Sequence, residues 1–139
     1  MRELKADLFS IQADIYCVTT NGEVRNDGKA VMGAGVAKYV RDKFKGIDYI
    51  LAQQLKTNGN VISTIWGNPH IVSFPTKNKW RDKSCIILIE ESLKYLSSFK
   101  GVIVLPRPGC SNGGLDWETC VKPLCEKYLT EDRFIIVNI

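Results

Sequence analysis

Two apolar segments of this chain each lead into a glycine-rich loop and then into residues with helical spacing. The first, Ile15 to Thr20, is followed by Asn21-Gly22 and later by Gly33-Ala34-Gly35. The second, VIVL at 102–105, leads into RPGCSNGGLDW. Glycines let the backbone adopt positive φ and approach a ligand, and the amides at a helix N-terminus attract anions. The two loops together predict a site for a diphosphate.

Neither loop fits the two best-known phosphate-binding patterns. No G-K-[ST] follows the first loop, as a P-loop requires, and G-A-G-V-A-K lacks the third glycine of the dinucleotide fingerprint. A single glycine-rich turn between a strand and a helix is commonly only a tight connection. Two such turns at corresponding positions favour a ligand site over that alternative.

The rest of the chain alternates between strand and helix patterns. Helices are predicted after Gly35, over 47–56 and 84–99, and around 123–128; strands are predicted over 61–66, 70–74 and 134–139, with a basic loop over 75–83. CIILI at 85–89 equally suits a strand, but the length of its segment favours a helix. The alternation predicts one α/β domain over residues 1–139, with three α/β/α layers around a mixed, mostly parallel sheet. Ligands of such sheets bind at the carboxyl ends of the strands, where both loops begin.

Composition narrows the class of protein. The 139 residues suffice for one domain, and 45% hydrophobic and 24% charged residues are ordinary globular values. No apolar run is long enough to span a membrane and MRELKAD has no signal-peptide pattern, so we expect a cytoplasmic protein without a membrane partner. Five scattered cysteines without a C-x-x-C pair, and one His, indicate reduced thiols. We predict no metal and no cofactor, and we expect a monomer.

The formal charge of +4 is concentrated in two segments, 25–45 and 77–83. Basic clusters of this kind attract a phosphate ligand or a nucleic acid. A solvated basic face is an equally good interpretation of the charges alone. The residues are Arg25, Lys29, Lys38, Arg41, Lys43 and Lys45 in the first cluster, and Lys77, Lys79, Arg81 and Lys83 in the second.

The segments ADLF, VTTNG, VMGAGVAKYV, FPTKNKW and LPRPGCSNGGLDW, in this order, resemble the macrodomain family over nearly the whole chain. The chain looks most like the branch that contains the antitoxin macrodomains acting on ADP-ribosylated DNA and the terminal-ADP-ribose glutamate hydrolase, which carry T-K after the middle strand. The resemblance implies a macrodomain fold and binding of ADP-ribose or an ADP-ribosylated macromolecule. It also implies hydrolysis of ADP-ribosyl linkages, with DNA as the preferred modified substrate.

The resemblance also implies binding roles for individual residues. Asp7 corresponds to the aspartate that accepts a hydrogen bond from the adenine amino group, Leu8 supplies a neighbouring backbone amide, and Asn21 faces the distal ribose. Taken alone, Asp7 equally suits a turn cap, and Asn21-Gly22 is a common turn signal. The loop residues implied to bind ligand are Gly33, Ala34, Gly35 and Val36 in the first loop, and Gly109, Cys110, Ser111, Asn112, Gly113, Gly114 and Leu115 in the second.

The implied catalytic residues are Lys77, from FPTK, and Asn21. Lys77 corresponds to the lysine beside the anomeric carbon of the distal ribose, where a neutral amine can attack an opened sugar carbonyl to give a Schiff base. Without the resemblance, a lysine in a basic loop would be interpreted as a surface residue. Cys110 is an alternative nucleophile, but His70 has no evident link to it, which favours a role in lining the loop.

The chain departs from this branch in two places. Gly113 stands where the glutamate hydrolase has an aspartate, and Asp116, three positions on, suits a cap of the next turn; NGGLDW instead resembles the DNA-directed members. The stretch EVRNDGK makes the first connection longer than in those relatives. Two other functions would use the same loops: a phosphatase acting on ADP-ribose 1''-phosphate, and a reader that binds ADP-ribose without chemistry. Only Lys77 argues against the reader.

Overall fold

The structure is a computed structural model that describes all 139 residues. Its strands are β1 (Arg2–Lys5), β2 (Ile15–Asn21), β3 (Ser63–Trp66), β4 (Ile71–Lys77), β5 (Ile103–Pro106) and β6 (Phe134–Asn138). Its α-helices are α1 (Gly35–Lys43), α2 (Ile47–Asn58), α3 (Ile86–Leu96) and α4 (Lys122–Tyr128), with a 3-10 turn at Leu8–Ser10 and a π-helical turn at Trp117–Val121. None of the helices is long and apolar enough to cross a membrane.

The six strands form one sheet in the order β1-β6-β5-β2-β4-β3. Every neighbouring pair is parallel except β3 with β4. The prediction of a mixed, mostly parallel sheet is therefore confirmed. Because β2, β4 and β5 are adjacent and parallel, their carboxyl ends, at Asn21, Lys77 and Pro106, lie at the same edge.

Helices cover both faces of the sheet and complete the three predicted layers. One apolar core packs α3 and α4 against the sheet, with Phe74, Leu93 and Leu105 fully buried. The other packs α1 and α2 against the opposite face, around Val40 and Leu51. Strand residues 15–18 alternate between the two cores, which explains why β2 is apolar along its length.

Strand β4 corrects the prediction for its region, because it continues through Lys77 instead of ending at Phe74. The basic loop therefore begins at Asn78 rather than at Pro75. A proline is tolerated in β4 because β3 pairs with β4 only as far as Ser73, which leaves one neighbouring strand beyond that point. Between Thr20 and Asn21 the β2–β4 register shifts, so that Asn21 lies opposite Lys77.

The edge strand β1 was not predicted, because its four residues are all exposed and show no apolar face. Its pairing with β6 supplies its structure. The predicted helices over 47–56 and 84–99 are confirmed as α2 and α3, and the helix around 123–128 as α4, which a π-helical turn precedes. The prediction of a strand at 61–66 was two residues too long at its start.

Candidate functional site

A cleft of about 1590 Å³ crosses the carboxyl edge of the sheet. Its walls come from the ends of the parallel strands, the N-terminus of α1 and the loops after β4 and β5. Of the predicted site residues, all except Gly114 line it: Asp7, Leu8, Asn21, Gly33, Ala34, Gly35, Val36, Lys77, Gly109, Cys110, Ser111, Asn112, Gly113 and Leu115. Parts of the chain that are far apart in sequence therefore meet in one concave surface.

The first phosphate loop, residues 33–36, runs directly into α1. Ala34 precedes the helix and makes no side-chain cap bond, so the amides of the first turn have no side-chain partner in the protein. Those amides belong to Gly35, Val36 and Ala37, which line the cleft. With the positive end of the helix dipole, they form an anion site open to the cleft.

Asn21 organises the segment that leads to the first loop. Its Nδ2 donates to the Val31 carbonyl at 3.1 Å, and its Oδ1 accepts from the Glu23 amide at 2.9 Å. Residues 23–29, the stretch EVRNDGK noted in the sequence, lie in a loop closed by the Val24–Ala30 bridge, and none of them lines the cleft. The added length therefore does not enter the site, and Asn21 has the turn role that Asn-Gly indicated.

The second phosphate loop, residues 109–115, is held by a hydrogen bond within the loop and by another from a neighbouring segment. The Leu115 amide donates to the Gly109 carbonyl at 3.0 Å, and the Ser84 amide donates to the Gly113 carbonyl at 3.0 Å. The φ of Gly109 is +73°, and that of Gly114 is +75°. Gly114 is exposed and does not line the cleft, unlike the other residues predicted in this loop.

The two phosphate loops face each other across the cleft. A Cβ added at Gly35 would lie 3.4 Å from Nδ2 of Asn112 in the second loop. The φ of Gly35 is +58°, a conformation that other residues rarely adopt. Glycine at this position therefore leaves the space between the two loops free of a side chain.

The absence of an acid at Gly113 has a steric reason in this chain. A Cβ at this position would lie 1.9 Å from the Ser84 Oγ and 2.6 Å from the Gly109 carbonyl oxygen. An aspartate does not fit there unless the loop moves. Asp116 caps the following turn, as expected, because its Oδ2 accepts from the Thr119 amide at 2.8 Å and the Thr119 hydroxyl at 2.6 Å. These bonds hold the pKa of Asp116 below its usual value.

Lys77 lies at the end of β4, half-buried, with its side chain on the cleft. The bulge in β4 aligns it with Asn21 of the neighbouring strand, and strands in a sheet lie about 4.8 Å apart. Its Nζ donates to the Trp80 carbonyl at 2.8 Å. This hydrogen bond to a neutral acceptor positions the amine at the cleft, and no carboxylate forms an ion pair with it.

Asp7 and Leu8 follow strand β1, whereas Lys77 ends β4, so they lie at opposite ends of the cleft. Asp7 directly precedes the 3-10 turn that begins at Leu8. The Asp7 side chain is exposed and makes no cap bond, so the alternative of a turn cap is not what the structure shows. Its carbonyl instead accepts from the Ser10 amide and hydroxyl. The carboxylate therefore remains available to a donor in the cleft.

Cys110 has the environment of a residue that lines the loop. Burial raises the pKa of its thiol to about 11, against the smaller opposing effect of Arg107. A thiol with that pKa is protonated at neutral pH and is a poor nucleophile. His70 contacts the Thr64 hydroxyl and does not line the cleft. No three His, Cys, Asp or Glu side chains are grouped so that they could hold a metal ion.

Several residues that line the cleft were not among the predicted site residues, and three of them matter for the site. Trp80 and Arg81 lie on the loop after β4, and Ser84 underlies the second phosphate loop. Arg81 was noted as part of the second basic cluster and Trp80 falls within FPTKNKW, but neither was assigned a role in the site. The place of Ser84 depends on contacts between distant segments, for which the local sequence carries no signal.

No family model matches the chain, but individual proteins and solved structures are similar to it. A DNA ADP-ribosyl transferase–DNA ADP-ribosyl glycohydrolase fusion protein of Thermosipho africanus is 32% identical over 98 residues, covering 67% of this chain and 24% of that protein. ADP-ribose glycohydrolase OARD1 of Bos taurus is 29% identical over 142 residues, covering 96% and 88%. The solved macrodomain of Thermus aquaticus DarG superposes with a TM-score of 0.76 at 27% identity, covering 99% and 97%. The chain spans a quarter to a third of the length of the first curated relatives that it matches.

Proposed function

Because this chain belongs to the macrodomain family, we propose that it binds ADP-ribose in the cleft and hydrolyses ADP-ribosyl linkages, with modified DNA as the preferred substrate. The observation that carries the proposal is the position of Lys77, whose amine lies at the cleft beside Asn21. Relatives that are named as ADP-ribosyl glycohydrolases support the reaction class.

The geometry suggests how ADP-ribose would lie. The diphosphate fits between the amides of the first turn of α1 and the second phosphate loop, since both supply N–H donors and face each other. Adenine would lie at the Asp7 end, where the free carboxylate accepts from its amino group. The distal ribose would then reach Asn21 and Lys77.

In the proposed reaction, Lys77 acts as the nucleophile toward the anomeric carbon of the distal ribose. The bond between the anomeric carbon and the ring oxygen breaks as that oxygen takes a proton from solvent. The neutral amine adds to the resulting electrophilic carbon, and the linked base leaves with one of the protons of the amine. Water then hydrolyses the resulting Schiff base, which releases ADP-ribose and restores the lysine. The Trp80 carbonyl holds the amine in position before the reaction. Asn21 contributes by fixing the approach of the first loop to this ribose.

Two features favour DNA over an ADP-ribosylated carboxylate as the substrate. The position of the glutamate hydrolase aspartate is occupied by Gly113, which has no room for a side chain. The loop that follows Lys77 carries exposed cations at Lys79, Arg81 and Lys83, against Asp82 in the loop and the Glu23 carboxylate beside its Trp80 amide. A strand of nucleic acid presents phosphates to such cations, whereas the carboxyl group of an ADP-ribosylated protein is an ester and has lost its own charge.

Three expectations about the setting of this activity also remain proposals. Residues 1–139 are proposed to be one domain that acts as a monomer. All five cysteines are free in the structure, which suits a reducing compartment such as the cytoplasm.

A panel of substrates, tested with the wild type and Lys77→Ala, examines the function. We expect the wild type to release ADP-ribose from ADP-ribosylated DNA more rapidly than from ADP-ribosylated protein. Lys77→Ala should reduce this rate by at least ~100-fold, a typical loss when a catalytic group is removed. Its affinity for free ADP-ribose should stay within a few-fold. Lys94→Ala, which removes an exposed lysine of α3 outside the cleft, is the matched control.

Each alternative function gives a different result in this panel. Binding of ADP-ribose without release from any substrate would identify a reader and overturn the hydrolase proposal. Phosphate release from ADP-ribose 1''-phosphate, with ADP-ribosylated DNA left intact, would identify a phosphatase. Equal turnover by the wild type and Lys77→Ala would remove Lys77 from the mechanism.

A further inference from the structure

Trp80 is an exposed aromatic residue at the rim of the cleft that the proposed reaction does not use. Its side chain is 53% exposed, although it belongs to the residues that line the cleft. The other two tryptophans are occupied: Trp117 is buried with its Nε1 bonded to Glu3, and Trp66 packs against Phe44 at 5.5 Å between ring centroids. Trp80 therefore presents an open ring beside the site.

The backbone of Trp80 is fixed relative to the amine of Lys77. Its carbonyl accepts the bond from Lys77 Nζ at 2.8 Å, and its amide lies 3.4 Å from the Glu23 carboxylate. The same loop is tied down at Asn78, whose carbonyl accepts from the Gly22 amide at 3.0 Å. These bonds hold the backbone of Trp80 beside Lys77, and the ring extends from it into solvent.

Positive charge accompanies the ring. The Arg81 guanidinium lies 5.9 Å from the centroid of the Trp80 ring, which leaves it close to anything stacked there. Lys79 and Lys83 add exposed cations, and Asp82 is the one acid of this loop. An open aromatic ring flanked by cations is typical of surfaces that bind single-stranded nucleic acid, where bases stack and phosphates pair with basic side chains.

We propose that Trp80 is a specificity residue that stacks on the nucleobase next to the ADP-ribosylated base, while Arg81 binds the adjoining phosphate. This inference rests on the proposed function and adds that the protein also binds the nucleotide next to the modified one. A stacked neighbouring base must be free of its own duplex, so the substrate is an unpaired strand. The linkage is presented to Lys77 because the ring lies on the loop that directly follows this residue.

The experiment compares two substrates that carry the same ADP-ribosylated base, with and without flanking nucleotides. One is a short single-stranded oligonucleotide with one ADP-ribosylated base, and the other is the corresponding ADP-ribosylated mononucleoside. For Trp80→Ala, the ratio of kcat/KM for the oligonucleotide to kcat/KM for the mononucleoside should fall by ~10-fold, within the range for one base–aromatic contact. Trp80→Phe should keep most of the ratio. Tyr95→Ala, which removes a 62% exposed aromatic residue of α3, is the control.

The outcomes separate this inference from the proposed function. If Trp80→Ala lowered kcat/KM equally for both substrates, the residue would only position Lys77, and the inference would be wrong. An unchanged ratio would also overturn it. For a binding readout, the Lys77→Ala protein should bind the modified oligonucleotide more tightly than free ADP-ribose, and Trp80→Ala should remove that excess. Such binding without wild-type turnover would overturn the hydrolase proposal and leave the stacking role standing. A preference for an ADP-ribosylated protein over the oligonucleotide would contradict both.

Discussion

The two phosphate loops resemble each other in sequence but differ in what surrounds their glycines. Gly33 and Gly35 of the first loop are exposed, and a Cβ at Gly33 would meet nothing within 4 Å. Gly109 and Gly113 of the second are buried, and a Cβ at either would lie less than 3.0 Å from Ser84. Glycine in the first loop leaves space in which a ligand can lie. Glycine in the second loop leaves space that the Ser84 side chain occupies.

This difference assigns the loops different physical tasks. The first loop ends in the uncapped N-terminus of α1, so its amides are left for a bound anion. The second is braced by the Ser84 amide and by its own internal bonds, so it holds its shape without a ligand. Substitutions in the first loop should therefore act on binding, and those in the second on stability.

The largest effect is expected for Gly113→Ala. The new methyl would overlap the Ser84 Oγ at 1.9 Å and the Gly109 carbonyl oxygen at 2.6 Å, so the loop must move away from Ser84. We expect a loss of about 3 kcal/mol in the free energy of unfolding, at the upper end for overpacking. Urea denaturation of the wild type and the variant measures this loss.

Gly33→Ala is the control for that prediction, because it adds the same methyl to an open position of the other loop. Its free energy of unfolding should stay within ~0.5 kcal/mol of the wild type. The double variant Gly113→Ala/Ser84→Gly should recover part of the loss, since it removes two of the three contacts below 3.0 Å. Equal stabilities for Gly33→Ala and Gly113→Ala would contradict the comparison of the loops.

Gly35→Glu should have the next largest effect, and it should act mainly on the ligand. A glutamate there extends into the gap in front of Asn112 and places a negative charge where the diphosphate is proposed to lie. We expect the affinity for ADP-ribose to fall by at least ~100-fold, equivalent to about 2.7 kcal/mol. The φ of +58° adds strain of about 1 kcal/mol to the folded state. Isothermal titration calorimetry measures the affinity.

The control for Gly35→Glu is Gly67→Glu, which adds the same side chain to an uncrowded turn outside the cleft. It should bind ADP-ribose as the wild type does. Circular dichroism distinguishes a blocked cleft from an unfolded protein. Undiminished binding by a folded Gly35→Glu variant would show that the first loop does not contact the diphosphate.

The sequence was most informative where local pattern and packing coincide. The apolar runs of β2 and β5 and the glycines after them predicted both loops, and the alternation of elements predicted the layers. The resemblance then brought Asp7, Asn21 and Lys77 together, and the structure places all three in one cleft. Their chemical roles remain predictions.

Features that depend on distant partners were beyond the sequence. Strand β1 carries no apolar alternation, so only its pairing with β6 identifies it. The bulge that sets Lys77 opposite Asn21 arises from the register of two strands that are over fifty residues apart along the chain. The contact of Ser84 with Gly113 likewise joins separate loops. Each of these is a matter of tertiary packing, on which local propensity has little influence.

The smallest effect concerns Glu3, which braces the chain just beyond the second loop. Its carboxylate accepts from Lys122 Nζ and from Trp117 Nε1, both at 3.0 Å, and lies 3.7 Å from Arg107. The hydrogen bond from Lys122, with the bond from Trp117 and the nearby positive charges, lowers the pKa of Glu3 despite partial burial.

A lowered pKa fixes the sign of the pH dependence. The unfolded chain binds a proton at Glu3 more readily than the folded one, so the contribution to stability is complete above the unfolded pKa of about 4.3. It is lost as the pH falls through the lower folded value. The difference in urea midpoint between the wild type and Glu3→Gln should therefore be small but constant from pH 6 to 8, and should shrink at acid pH. Glu91→Gln, at an exposed carboxylate of α3 that forms no salt bridge, should show no such difference. A difference that grew as the pH fell would mean that the Glu3 carboxylate does not stabilise the second loop in its charged form.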